Sequence, residues 1–266
     1  MHIWAITNQK GGVGKTTTAV NLGGILAGQG RRTLLVDLDP HGSLSTYLGI
    51  DPDLDERNVY AVFAAHSPLD RTQLLSLIHG TRFDDLDVLP SATALATLER
   101  QAGARTGLGQ VLRHGLECIE SSYEHVLVDC PPMLGVLMIN ALAACQRVII
   151  PVQTEFLALK GLERMLSTLE MVRRSLKVGR EYLIVPTMYD PRTRASKDSL
   201  SALRSSYDDH LWTDVIPIDT QFREASREGV PLASLRPQAR GALAYGRLAQ
   251  DLLAERQIEQ QLPEAS

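Results

Sequence analysis

Residues 9–18 read Gln-Lys-Gly-Gly-Val-Gly-Lys-Thr-Thr-Thr and lie between an apolar run, Ile3 to Ile6, and an amphipathic stretch that starts near Thr16. That order predicts a strand, a glycine-rich loop and a helix. Glycines at 11, 12 and 14 admit positive φ and close backbone approach, so successive amides turn inward and wrap a polyphosphate. The N-terminal dipole of the following helix points at the same anion. Lys15 is placed to reach the β and γ phosphates, and the Thr16 hydroxyl to ligate Mg²⁺. The generic spacing has a glycine at position 9, where this chain has Gln9, and Lys10 is additional.

With that departure, Lys-Gly-Gly-x-Gly-Lys-Thr-Thr resembles the deviant Walker A loop of the ParA/MinD family of ATPases. The resemblance implies ATP and Mg²⁺ as cofactors, held by Gly11, Gly12, Val13, Gly14, Lys15, Thr16 and Thr17. It also implies that Lys10 reaches across an ATP-bridged homodimer to the partner subunit's phosphates, much as an arginine finger does.

Two more stretches end in carboxylates. Thr33 to Val36 is β-rich and runs into Asp37-Leu38-Asp39-Pro40, and Val126-Leu127-Val128-Asp129 runs into Cys130-Pro131-Pro132. In open parallel sheets the C-terminal strand edge is where ligands bind. Alternation puts Asp37 and Asp39 on one face, within reach of Mg²⁺ or a water. Both stretches resemble further signatures of the family, which assign Asp39 to orienting the attacking water and Asp37, Asp129 and Thr16 to the metal. The family's usual Gln-Gly-Asn after the proline is His41-Gly42-Ser43 here, which bears on the hydrolysis rate.

The remaining strands are expected at Asp87–Pro90, Arg147–Val152, Leu183–Tyr189 and, last and short, Val215–Pro217. Helices are expected from Ser91 through Leu98, from Leu108 to Ser121 and from Leu159 to Leu176, with a helical excursion in residues 51–85. Alternating strands and helices imply an α/β, doubly wound, mostly parallel sheet flanked by helices. The chain is read as a single domain, 1–266, with a polar C-terminal tail from about 254. The family resemblance places the adenine near Met188 and Pro217.

At 266 residues, 44% hydrophobic and a net charge of −4, the chain supports one large core and excludes a wholly basic surface, so any nucleic-acid contact is local. Residues 192–227 carry the local basic excess: Arg192, Arg194, Lys197, Arg204, Arg223 and Arg227. The stretch Thr187 to Thr193 resembles the segment of chromosomal ParA proteins whose arginine contacts DNA, matched by Arg192. The family's second arginine aligns with Gln221, and Arg223 or Arg227 stands close enough to compensate. Nonspecific DNA binding through Arg192, Arg194, Arg223 and Arg227 is therefore an expectation.

Nowhere do about eighteen apolar residues run together, so no membrane partner is expected and the location is read as cytoplasmic, nucleoid-associated or polar. Cys118, Cys130 and Cys145 lack paired metal spacing and read as reduced thiols, with Cys130 packed and an iron–sulfur cluster disfavoured. The resemblance implies a switch that positions or segregates a chromosome, plasmid or protein cluster such as a chemotaxis array, with slow turnover stimulated by a ParB-like or cargo-adaptor partner. Two other classes stay open: a metabolic enzyme similar to dethiobiotin synthetase, and a nucleotide-binding scaffold with little hydrolysis.

Overall fold

The computed structural model describes residues 1–101, 108–176 and 181–261. Its elements follow in chain order as β1 (His2–Ile6), α1 (Lys15–Gly28), β2 (Thr33–Asp37), α2 (Ser43–Tyr47), α3 (Val59–Ala64), α4 (Arg71–Leu77), β3 (His79–Gly80) and β4 (Leu86–Leu89). They continue as α5 (Leu95–Gln101), α6 (Val111–Cys118), β5 (His125–Asp129), α7 (Val136–Ala144), β6 (Arg147–Gln153), α8 (Phe156–Leu176), β7 (Glu181–Thr187), α9 (Arg194–Tyr207), α10 (Gln221–Glu228), α11 (Leu232–Leu235) and α12 (Arg240–Gln261).

The strands form one sheet in the order β3-β4-β2-β5-β1-β6-β7. Every pairing is parallel except that of β3 with β4. Such a sheet is covered on both faces, and side-chain alternation divides its residues between two cores. Ile3, Ala5, Leu34, Val36, Val126, Val128, Val148 and Ile150 face one side, where buried residues of α3 through α8 pack. Trp4, Ile6, Leu35, Leu127 and Ile149 face the other, covered by α1 and α12.

Register then places the chemistry. Ile6 and Asp37 both pair with Asp129, so the ends of β1, β2 and β5 lie side by side with the glycine loop leaving β1 between them.

Three expectations are corrected. Val215–Pro217 is not a strand: Ile216 N donates to Pro186 O at 2.8 Å, Tyr189 N to Ile216 O at 3.1 Å and Ile218 N to Tyr189 O at 3.0 Å, but β7 ends at Thr187, before Met188 with its φ of 53°, so the contacts stay an isolated bridge. The helix expected from Ser91 starts at Leu95, because both polar groups of Ser91 are committed elsewhere. The helix expected from Leu108 begins as a 3₁₀ turn, Leu108–Gln110, and becomes α-helical at Val111, where Asn140 Oδ1 accepts from Leu112 N at 3.1 Å; it ends at Cys118. The polar stretch from about 254 is part of α12 as far as Gln261, and residues 262–266 lie outside the described ones.

Candidate active site

Beyond β1, polar side chains fasten the loop to its surroundings. Asn8 Nδ2 donates to Pro151 O at 2.8 Å while its Oδ1 accepts from Lys10 N at 2.9 Å. Gln9, standing where a glycine is usual, donates from Nε2 to Thr168 Oγ1 on α8 at 2.9 Å. Thr187 Oγ1 donates to Val13 O at 2.9 Å and ties the loop to the end of β7. Gly12 and Gly14 adopt φ of 75° and 94°, a region L side chains avoid.

Among the described residues no side chain caps α1, so its first amides stay open toward a cavity of about 820 Å³. Gly11, Gly12, Gly14, Lys15, Thr16 and Thr17 line that cavity, together with Asp39 and His41. Lys15 is 8% exposed and its Nζ lies 3.4 Å from Lys10 O.

Asp129 is buried, and its Oδ2 accepts from Thr16 Oγ1 at 2.6 Å. Its Oδ1 has no hydrogen-bond partner among the described residues. Burial, reinforced by neighbouring Asp37, pushes the Asp129 carboxyl well above the usual carboxylate range, and the Thr16 hydroxyl and Lys15 oppose the shift. A buried carboxylate with a spare oxygen, beside a hydroxyl and an open row of amides, is a donor set that fits a hard divalent cation bound with a polyphosphate.

Asp37 and Asp39 diverge. The Asp37 carboxylate is buried, its Oδ2 taken by Ser45 N at 2.8 Å and Ser45 Oγ at 2.7 Å, and its Oδ1 by Asp39 N at 3.1 Å. Burial raises its pKa to about 6, against the pull of those hydrogen bonds. Asp39 instead faces the cavity, its Oδ1 accepting from His41 N at 3.0 Å and meeting His41 Nδ1 at 2.8 Å. Lys10 turns away from the cradle: its Nζ is ion-paired with Glu155 and lies 3.4 Å from Gln153 Oε1.

Met188 and Pro217 line the far side of the cavity with Phe222, Arg223 and Tyr245. Met188 has a φ of 53°, a strained conformation for a residue with a Cβ, placed where the cavity wall turns. The basic candidates are dispersed. Arg192 is held by Asp190 through two bonds of 2.9 and 2.8 Å, Arg194 pairs with Asp198, and Arg227 with Glu228. Arg223, exposed on α10 with Arg227, also lines the cavity.

Ser45, Ser91 and Glu155 went unnoticed in the sequence. Ser91 follows the C-terminal end of β4 beside β2, on the same sheet edge that carries Asp37 and Asp129.

A family model described as an AAA domain matches residues 1–180. The sporulation initiation inhibitor protein Soj of Bacillus subtilis is 38% identical over 253 residues, 95% of this chain and 98% of that protein. The chromosome-partitioning ATPase Soj of Thermus thermophilus is 42% identical, covering 94% of both chains. This chain belongs to the ParA/MinD family of ATPases. It is an ATP hydrolase that uses ATP and Mg²⁺. Among solved structures, the Mycobacterium smegmatis cobyrinic acid a,c-diamide synthase with bound ATP analogue and magnesium superposes with a TM-score of 0.82 at 35% identity, over 95% of this chain and 94% of that one. No helix among the described residues is long and apolar enough to cross a membrane.

Proposed function

We propose that this member of the family is a dimerising switch that positions or segregates a cargo. In this reading the open amides from Gly12 to Thr17, with Lys15, hold the β and γ phosphates of ATP, and Met188 and Pro217 flank the adenine. Thr16 and Asp129 would hold Mg²⁺, with Asp37, whose oxygens accept from Ser45 and Asp39 N, in the outer part of the metal's shell. The metal, when bound, offsets phosphate charge. Asp39 orients the attacking water, and Lys10 serves the partner subunit's phosphates.

One observation carries the dimer: the two lysines of the loop serve different spaces. Lys15 is buried in its own cradle, whereas Lys10 lies outside it among side chains that leave apolar surface uncovered. Met133 and Leu134 follow the cavity-lining Pro132, and Phe156 and Leu157 follow Glu155; all four are exposed. A second copy of this chain would cover them and bring Lys10 to its phosphates.

The cargo surface is proposed to be nonspecific duplex DNA, contacted by Arg192, Arg194, Arg223 and Arg227, with a ParB-like or cargo-adaptor protein accelerating turnover. The names of the Soj relatives support segregation. Light scattering with ATP and Mg²⁺ tests the dimer: wild type is expected to double in mass and Lys10→Ala to stay monomeric while still binding ATP. A Lys10→Ala protein that dimerises normally removes the proposed role in trans. Retardation of duplex DNA by the ATP-bound protein at low salt tests the surface, and its absence discards the DNA reading.

A second reading has its own support. The likeness to a protein named as a diamide synthase favours a metabolic enzyme that activates a carboxylate. Steady product formation dependent on a carboxylate substrate would favour that reading over the switch.

A further inference from the structure

We propose that residues 91–99 are a brace that holds the two loops flanking the phosphate site in fixed relation, with Ser91 a positioning residue for Asp39 and Glu99 a positioning residue for the loop that follows Asp129. The inference rests on the reading of Asp39 as the residue that orients water.

At its first end the brace is a buried chain of hydrogen bonds. Ser91 is fully buried, and its Oγ donates to the backbone carbonyl of Asp39 at 2.6 Å. Its N–H donates at 2.8 Å to Ser45 Oγ, which in turn donates to Asp37 Oδ2 at 2.7 Å. The turn from Asp37 to Asp39 is thus gripped at a carboxylate and at a carbonyl, both through Ser91. Asp39 gains nothing from Ser91 at its side chain, so the contact fixes where the carboxylate is carried and leaves its chemistry alone.

The other end lies one helix away. Leu95, Leu98 and Glu99 share a face of α5 by their i, i+3, i+4 spacing; the two leucines are buried in the core and fix that helix. Glu99 then meets the first turn of α7, where its Oε2 accepts from Leu137 N at 3.2 Å. Burial raises the Glu99 carboxyl above its ordinary range, and the first amides of α7 oppose that shift. The approach is close: a Cβ at Gly135 would overlap Glu99 Oε1 and push the carboxylate off this contact. The loop between Asp129 and α7, which contributes Pro132 to the cavity wall, is therefore fixed at one end by β5 and at the other by Glu99.

Two walls of one cavity are in this way referred to a single short segment. A catalytic carboxylate misplaced by an ångström loses rate much faster than it loses ligand affinity. Freeing either end of the brace should slow hydrolysis with little effect on ATP binding, and freeing both should do little more than freeing one.

The test uses the full chain, with ATP affinity from titration and hydrolysis from single turnover. Ser91→Ala is expected to slow single turnover by about tenfold or more while the ATP Kd stays within about twofold, and Ser91→Thr, which keeps the hydroxyl, to recover most of the rate. Glu99→Ala, which removes the acceptor of Leu137 N, is expected to slow turnover in the same manner. In the double variant Ser91→Ala/Glu99→Ala the loss should be clearly smaller than the product of the two single losses. A wild-type rate for Ser91→Ala, equal proportional losses of rate and affinity, or losses that multiply in the double variant would each overturn the brace. Should Ser91→Ala not fold, Ser45→Ala removes the acceptor of Ser91 N and is read against the same outcomes. Asp39→Ala is run alongside: if it hydrolyses ATP at the wild-type rate, the fault lies with the role given to Asp39 itself.

Discussion

Lys10 and Glu155 are ion-paired across the mouth of the phosphate loop, 145 residues apart in sequence. The lysine proposed to act in a partner subunit is therefore engaged within its own chain. Both side chains are partly exposed, 28% and 41%, so the pair is worth no more than about 1 kcal/mol after solvent screening. Its rupture is a small, reversible cost of assembly. Glu155→Gln is expected to lower the ATP concentration at half-maximal dimerisation by up to about fivefold, with little change in thermal midpoint. Light scattering across an ATP titration decides it, and an unchanged midpoint would mean that the pair opposes nothing.

Lys15 and Asp39 should fail in different ways. Lys15 is buried among the open amides, so Lys15→Ala is expected to abolish ATP binding in a titration. Asp39 lies at the cavity wall without touching the amide row, so Asp39→Ala is expected to keep its affinity and lose at least about a hundredfold in single turnover. His41→Gln removes one of two hydrogen bonds into Asp39 Oδ1 and leaves the backbone bond at 3.0 Å, so its loss should be about tenfold or less. A loss with His41→Gln equal to that with Asp39→Ala would show that the imidazole itself takes part.

How far such residues were legible depends on the range of the interaction that places them. The loop, Asp37, Asp39 and Asp129 were readable because glycine spacing and strand-end acids are local signals, and parallel register brings their ends together without further information. Glu155, Ser91 and Glu99 were not, since each acts through a partner far along the chain and none has a distinctive neighbourhood. The segment Val215–Pro217 looked like a strand because its composition is right, yet its neighbour β7 ends at Thr187, before the left-handed Met188, and only an isolated bridge forms. Helix α12 escaped notice because its buried face relies on Ala244 and Ala249 beside Tyr245 and Leu248, and alanine carries little weight in a hydrophobic pattern.

The cation proposed for DNA contact is likewise already engaged. Asp190 holds Arg192 through two hydrogen bonds, and those bonds keep the Asp190 carboxyl down at about 2, below its ordinary 3.8. Because the folded pKa is the lower one, any stabilisation by this pair is present above the ordinary value and lost as pH falls through about 2. An NMR titration of Asp190 in wild type and Arg192→Ala should show its midpoint rising in the variant. At neutral pH, Asp190→Asn releases the guanidinium, so binding to duplex DNA should tighten and its salt dependence steepen by about one unit of slope. Unchanged retention at every salt concentration would remove Arg192 from the DNA surface.

A last prediction concerns the contact that seats α1 against α12. Thr18 Oγ1 and Tyr245 Oη lie 2.8 Å apart, with the two residues 0% and 1% exposed. Tyr245→Phe deletes one partner and strands the other in a place water does not reach, which should cost about 1–3 kcal/mol. At this chain length that corresponds to a fall of very roughly 2–12 °C in the thermal midpoint. Thr18→Val alone strands the phenol instead and should cost a similar amount. Together the two changes leave neither group unsatisfied, so the double variant should be more stable than either single one. Thermal melts of the four proteins followed by circular dichroism make the comparison, and losses that simply add would show that the hydroxyls find other partners when separated.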